Sequence, residues 1–517
     1  MNDFKKIILS ASSKFSYQIL SILIVFFLTP LMIKTLGNYK YGIWVLVNIF
    51  AGYYAYTDLG LSSAIERNMA VAIGKKNDSE FKNIFVNGVF LNLICFIAVI
   101  IISLLSFYII NLLNIKGHSL ISTLILIMGL NLAFTFPFRC FYSIISANIR
   151  FDIISGINIF QLISKSLATV YLLLNGYGLI ALALANLCTT VISNLAYLYF
   201  APKLSNLICF DFKFINKKEI QKLFNYSSKT VLVQVAEILK FKLDEIITAS
   251  CVSINMVTTY SIPNKLNSNA NSFGSNFLTI LHPLFSKNMK IKSDEEKIKL
   301  FYFTSKIMIT ISCLFFFGFL FLGKQFINLW VGTDYSVAYY VLLILSFFSF
   351  IAFIQGIGAQ YLFSANKHQY FAFIAILEGV LNLLFSLIYV IYFKLGVIGV
   401  ALGTLTPALY TKLVLQPNYI CKVLKLKLKS YYLFLLKNVI IGGLMYLPMG
   451  LFAFSFNINN YLKFFGFVFA FLILSLAHFI FIANKQEKAI LVKKLLMEFE
   501  IIKNKEVNYE NSQTRTY

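Results

Sequence analysis

Charged side chains interrupt several otherwise apolar stretches of this sequence, and their types and spacing suggest two kinds of chemistry. One stretch carries Gln234, Glu237, Lys240, Lys242, Asp244 and Glu245. On a helix, Glu237, Lys240 and Asp244 fall within about 60° of one another. Lys240 is three residues from Glu237 and four from Asp244, so both carboxylates reach it. Such a stripe is either a salt-bridge network joining helices, or a wet wall where a carboxylate takes up a proton and frees the lysine to hold an anion. Glu378 stands alone in another apolar stretch. A lone buried carboxylate titrates or finds a cation. Glu237, Asp244 and Glu378 are thus candidates for ion uptake. Arg139, Lys165, Lys240 and Lys265 are candidate anion-binding cations: Lys165 lies near Gln161 and Ser164, and Lys265 shares a face with several asparagines. For Arg139 a structural ion pair or an interface anchor is the competing reading. Lys306 and Lys437 lie near segment ends, where a long side chain reaches water. Lys412 is open to either reading.

The segments that position these groups are apolar on a scale that excludes a soluble protein. Of 517 residues, 59% are hydrophobic and 13% charged, and the mean hydropathy is +0.77. Soluble domains are about half apolar and a quarter charged. A membrane span needs about 20 apolar residues. Apolar segments run over 15–33, 42–62, 84–110, 119–145, 153–174, 177–200, 229–250, 256–284, 301–322, 337–363, 370–393, 396–418, 433–454 and 461–482. The expected fold class is an all-α integral membrane protein with about 14 transmembrane helices. The first segment is too long for a signal-peptide core and reads as a retained span. The net charge of +24 comes almost wholly from lysine, since only four residues are Arg, so base reading is disfavoured and no nucleic-acid partner is expected. With the N-terminus taken as cytoplasmic, 31 of the 45 cations fall on that side, six on the other and eight within spans. This asymmetry predicts cytoplasmic N- and C-termini. Seven scattered Cys without CxxC, and four His without HExxH, suggest neither metal nor cofactor.

The chain also repeats. Ser146-Ala147-Asn148 recurs as Ser364-Ala365-Asn366, and the small-residue run 178–185 recurs at 396–403, both at an offset of 218. That offset carries six spans, an even number, so the copies share one orientation, as in transporters with parallel repeats. The expected organisation is a six-helix bundle over 1–200, a basic cytoplasmic linker over 201–228, a second six-helix bundle over 229–420, two additional helices over 421–483 and a basic cytoplasmic tail over 484–517.

Residues 28–70 contain Leu36-Gly37, Tyr41-Gly42, Asp58-Leu59-Gly60 and Arg67, in an order that resembles the opening signature of Wzx-type flippases for O-antigen and related polysaccharides. Asp244 to Tyr260, and Trp330-Val331-Gly332-Thr333-Asp334-Tyr335, resemble later parts of that pattern. The wider superfamily includes multidrug/toxin exporters and lipid II flippases. The resemblance implies twelve core helices in two bundles around a central cavity, plus two more spans. It implies an undecaprenyl-diphosphate-linked glycan as substrate, moved from the cytoplasmic to the outer leaflet of a bacterial plasma membrane, and not an enzymatic reaction. A polysaccharide polymerase and a chain-length regulator are candidate partners beside membrane lipid. Gly37, Gly42, Asp58, Gly60 and Arg67 become signature residues. Arg139, Lys165, Lys240 and Lys265 become cavity cations, and Glu237, Asp244 and Glu378 ion-coupling candidates. Pairing of Asp58 or Glu66 with Arg67 is an equal structural reading. Asn264, Asn267, Asn269, Asn271, Ser272 and Asn276 give the eighth segment a polar face that suits a cavity lining. Tyr39, Tyr41, Trp44, Trp330 and Tyr335 are expected in an interfacial aromatic belt. A drug exporter would favour an acidic or aromatic cavity. A membrane-embedded polymerase or acyltransferase would need larger external loops.

Overall fold

A backbone in hydrocarbon must satisfy its own N–H and C=O groups, and this chain does so as helix. The structure is a computed structural model that describes residues 3–58, 60–112, 117–205, 207, 208, 211–224, 243–291, 293–365, 369–456, 458–485, 487 and 488. Every regular element among them is helical. Among the described residues, eleven helices are long and apolar enough to cross a membrane: Ser16–Asp58, Asp78–Leu112, His118–Ala147, Phe151–Leu174, Leu179–Phe200, Asp294–Val331, Thr333–Ser364, Phe373–Tyr392, Gly396–Leu424, Leu428–Ser455 and Tyr461–Ile482.

The first of these holds two expected segments, because helix Asp3–Tyr54 runs through a break at Gly37. There φ is 73° and ψ 169°, a conformation open to glycine and strained for other residues. The eighth expected segment is helix Ile254–Ile291, whose asparagines and serines make it too polar to count as a span by composition. The seventh is described only from residue 243, so Glu237 and Lys240 lie outside the described residues. The stretch 63–83, between the second and third expected segments, includes most of helix Leu61–Gly74 and the start of helix Asp78–Leu112. Leu61, Ala64, Ile65, Met69 and Ala72 supply the buried face of Leu61–Gly74 at helical spacing.

The chain divides into two compact units. The first comprises Met1–Lys265, Trp330–Val341 and Ala375–Thr404. Its core gathers Ile65, Phe81, Phe85, Ile144 and Leu223. Leu223 comes from the basic linker, which docks on Asn87: that amide donates to the Phe214 carbonyl (2.9 Å) and accepts from the Asn216 N–H (2.9 Å). The second unit comprises Leu266–Leu329, Leu342–Ile374 and Leu405–Tyr517, with a core rich in aromatic side chains such as Phe301, Phe353, Tyr431, Tyr446 and Phe471. The Gln355 carbonyl accepts from Gln416 Nε2 (2.8 Å), and its side chain accepts from the Tyr431 hydroxyl (3.1 Å).

Helices open at Phe151 and Gln369, 218 residues apart, and the two small-residue runs open helices Leu179–Phe200 and Gly396–Tyr410. Three helices contain a π-helical turn, at Thr248–Val252, Ile388–Tyr392 and Thr411–Leu415.

Gly42 marks a backbone crossing. A Cβ there would lie 2.4 Å from the Ile254 carbonyl oxygen, which cannot swing aside as a side chain would. Gly42→Ala is therefore expected to destabilise the protein by about 1–3 kcal/mol, read as a lower melting temperature in detergent. Gly52, where a Cβ would meet nothing within 4 Å, is the control and should tolerate Ala. Equal effects at the two positions would contradict the close approach.

Candidate functional site

A dense buried polar centre among the described residues is built on Asp244. Its carboxylate is 6% exposed and gathers donors from three other helices. The Tyr260 hydroxyl donates to Oδ2 at 2.7 Å and the Thr404 hydroxyl to the same oxygen at 3.0 Å. Asn382 Nδ2 donates to Oδ1 at 3.5 Å. The Ser386 hydroxyl, itself buried, lies 3.0 Å from Asn382 Oδ1 and 3.3 Å from the Val400 carbonyl. Next to Asp244, the Glu245 carboxylate accepts from the Asn264 amide. A hydrogen bond to a charged group contributes about 1.5–3 kcal/mol. An isolated carboxylate in a low-dielectric interior would cost far more than one such bond returns, so convergence of several donors is what lets the group stay buried. Hydroxyls accept as well as donate, so the Tyr260 and Thr404 oxygens beside this carboxylate are compatible with a proton or a small cation.

Glu378 is 1% exposed and lies one helical turn before Asn382, on the same face of helix Gln369–Leu387. Asn382, which reaches Asp244, thus sits one turn from the second described ion-coupling candidate. Tyr260, Asn382, Ser386 and Thr404 were missed by sequence reasoning. The available signal was the spacing of Glu378, Asn382 and Ser386 at four-residue steps, and the small-residue run that ends one residue before Thr404. Gly403, the last residue of that run, explains its own smallness: a Cβ there would lie 2.0 Å from Ser386 Oγ.

The cations differ among themselves. Lys265 donates to the Tyr41 hydroxyl, approaches Thr29 Oγ1 at 3.5 Å and sits 5.0 Å from the centre of the Tyr41 ring. Lys165 lies on helix Phe151–Leu174, whose exposed stripe is Phe160, Ile163, Leu167 and Tyr171. At 100° per residue, Lys165 and Gln161 point roughly 100–140° away from that stripe. Gln161 donates to Thr190 Oγ1 at 3.1 Å, and the Lys165 ammonium has no ion pair or hydrogen bond among the described residues. On helix Ile254–Ile291, Ser268, Ser272, Ser275 and Asn276 are all exposed and share one face. A polar exposed face at membrane depth requires water, not lipid.

Asp58 and Arg139 form an ion pair at 2.6 Å, with side chains 11% and 20% exposed. Asp58 Oδ1 also accepts from the Ser62 N–H (2.9 Å), while Arg139 donates to Ser62 Oγ (3.2 Å) and lies over the Phe136 ring (4.2 Å). Gly60, at φ 79°, turns the chain between Asp58 and helix Leu61–Gly74. Asp58 thus takes Arg139 as partner, and Glu66 accepts from the Ser146 hydroxyl. Arg67 lies on the same short helix. The expected aromatic belt needs correction at three positions. Tyr41, Trp330 and Tyr335 are buried, because each polar tip has an internal partner: Tyr41 meets Lys265, Trp330 Nε1 donates to the Phe26 carbonyl (2.6 Å), and the Tyr335 hydroxyl donates to Asn38.

This helical architecture is shared with solved membrane transporters. A multidrug resistance MATE family transporter of the MOP superfamily, in an inward-facing conformation, aligns with a TM-score of 0.66 at 15% identity, over 79% of this chain and 95% of that one. The lipid II flippase MurJ, in an inward closed conformation, aligns with a TM-score of 0.65 at 16% identity, over 95% of this chain and 100% of that one. At such identities the likeness is one of fold, and it places the chain among multi-pass membrane proteins with the MATE and MurJ architecture. No curated protein matches the sequence. Residues 31–340 match the family described as polysaccharide biosynthesis protein, and the chain belongs to that family. The resemblance read from Gly37, Gly42, Asp58, Gly60 and Arg67 is thereby borne out at the level of family.

Breaking a largely buried ion pair from one side leaves the other charge uncompensated, at a cost of about 2–5 kcal/mol. Asp58→Asn and Arg139→Gln should each lower the melting temperature, and the double variant should be more stable than the sum of the single losses predicts. Additive losses would mean that the two groups do not act as a pair.

Proposed function

We propose that this protein is a flippase that moves an undecaprenyl-diphosphate-linked oligosaccharide, of the O-antigen or capsule type, from the cytoplasmic to the outer leaflet of a bacterial plasma membrane. The observation that carries this reading is Lys165: a partly buried cation on the side of its helix away from the exposed stripe, with no carboxylate partner among the described residues, in a chain of the polysaccharide biosynthesis family. Ionised phosphates cannot enter hydrocarbon without losing their hydration, which costs many kcal/mol. A carrier must offer counter-charge as well as wet polar groups, and Lys165 supplies the counter-charge. Lys240, outside the described residues, is assigned the same role. Two six-helix bundles, over 1–200 and 229–420, would alternate access to the substrate, with both termini in the cytoplasm. Asp244, with Glu378 beside it, would take up a proton or a monovalent cation and so couple the cycle to an ion gradient. Partners at the membrane would be a polysaccharide polymerase and a chain-length regulator.

A second reading has its own support. The acidic pair Asp244 and Glu245 and the likeness to a multidrug resistance transporter suit an exporter of cationic compounds. Deleting the gene separates the two. A flippase predicts loss of surface polysaccharide with lipid-linked repeat units retained on the cytoplasmic side. An exporter predicts normal polysaccharide and altered drug tolerance.

Within the flippase reading, Lys165→Ala and Lys240→Ala are expected to reduce surface polysaccharide at least about tenfold while protein level holds, since losing one charged contact removes about 1.5–3 kcal/mol. Normal polysaccharide in both variants would sink the cation assignment. In proteoliposomes, Asp244→Asn should abolish the response of transport to proton and sodium gradients. A wild-type protein indifferent to both gradients would remove ion coupling.

A further inference from the structure

The second unit contains a cavity of about 820 Å³ that the transport reading does not use. It lies between the start of helix Asp294–Val331, the start of Leu428–Ser455 and the end of Tyr461–Ile482. This is the end of the unit that carries Lys297, Lys299, Lys427 and Lys429. Five charged side chains line it: Glu296, Lys299, Lys306, Lys437 and Glu487. Both carboxylates are already engaged. Glu296 closes a capping box, its carboxylate accepting from the Ser293 N–H (3.2 Å) while Ser293 Oγ accepts from the Glu296 N–H (3.4 Å). Glu487 pairs with Lys306 at 2.8 Å and accepts from the Asn484 N–H. Lys299 and Lys437 remain, exposed and with no ion pair or hydrogen bond to either ammonium among the described residues. Apart from Asn438 and Asn484, the rest of the wall is apolar and aromatic, including Phe303, Phe434 and Phe481, and Phe481 is 73% exposed.

We infer that this cavity seats the phosphate headgroup of an anionic membrane phospholipid, held by Lys299 and Lys437, with its acyl chains along the exposed apolar side beside Phe481. The volume falls within the range of sites for ligands of that size. Two cations without carboxylates, at the mouth of an apolar groove between transmembrane helices, match the chemistry of a lipid phosphate. A zwitterionic lipid would bring its own cation against the same lysines and gain less.

The test uses the full-length protein in detergent micelles, with native mass spectrometry of added phosphatidylglycerol or phosphatidylcholine and the melting temperature as a check on folding. The wild type should bind phosphatidylglycerol in preference. Lys299→Gln/Lys437→Gln should lose about 25-fold in that affinity, since each lysine near an anionic group contributes about fivefold. Lys299→Arg/Lys437→Arg should retain it, which keeps the test valid if the Gln pair folds poorly. Lys422→Gln/Lys429→Gln, outside the cavity, should bind as the wild type does. The inference is overturned if the Gln pair folds and binds normally, or if the Lys422/Lys429 control loses as much. It is also overturned if inorganic phosphate at equal concentration displaces the lipid, which would make the site one for free phosphate. None of these readouts depends on what the protein transports.

Discussion

An ionised side chain at membrane depth has no water to fall back on, and most of this structure can be understood from that constraint. Asp244 draws in hydroxyls from Tyr260 and Thr404 and an amide from Asn382. Asp58 takes Arg139, Lys265 takes Tyr41 and Thr29, and Lys306 takes Glu487. Each arrangement ties together helices that are far apart in the chain. Hydrophobic packing does little to choose between helix neighbours in lipid, because the tails are as apolar as leucine. Polar ties such as these, and the small residues that let backbones meet, therefore do much of the selecting. Lys165 stands apart because no such tie reaches it among the described residues.

The legible part of the fold was the part written in local patterns. Apolar runs marked the spans, because they depend on residues close together in sequence. Partners were not legible in the same way. Asp58 and Arg139 are 81 positions apart, and Asp244 and Thr404 are 160 apart, with nothing in either neighbourhood to announce the other. Helix Leu61–Gly74 falls largely between two expected spans, because its charged face hides a short apolar stripe. The aromatic residues went astray for a related reason. Tyr41, Trp330 and Tyr335 have the composition of an interfacial belt, but an internal acceptor or donor lets each polar tip be buried.

Glycine links these two levels. Gly403 lies in a motif that sequence alone reads as generic close packing. In the structure its missing side chain is the space occupied by Ser386, which belongs to the polar centre around Asp244. Gly42 serves the backbone in the same way, giving room to the Ile254 carbonyl at the start of the polar helix Ile254–Ile291. A run of small residues can thus be a functional feature at one remove, by leaving room for the group that makes the contact.

The π-helical turns carry a mechanical meaning. A π turn holds one residue more than an α turn, so moving that surplus by one place along a helix rotates the intervening residue by about 100° without unwinding the whole segment. The three such turns, at Thr248–Val252, Ile388–Tyr392 and Thr411–Leu415, lie within about two turns of Asp244, Asn382 and Thr404 respectively. Three helices that share one carboxylate each hold a unit of axial rotation in reserve, next to the residue that touches it.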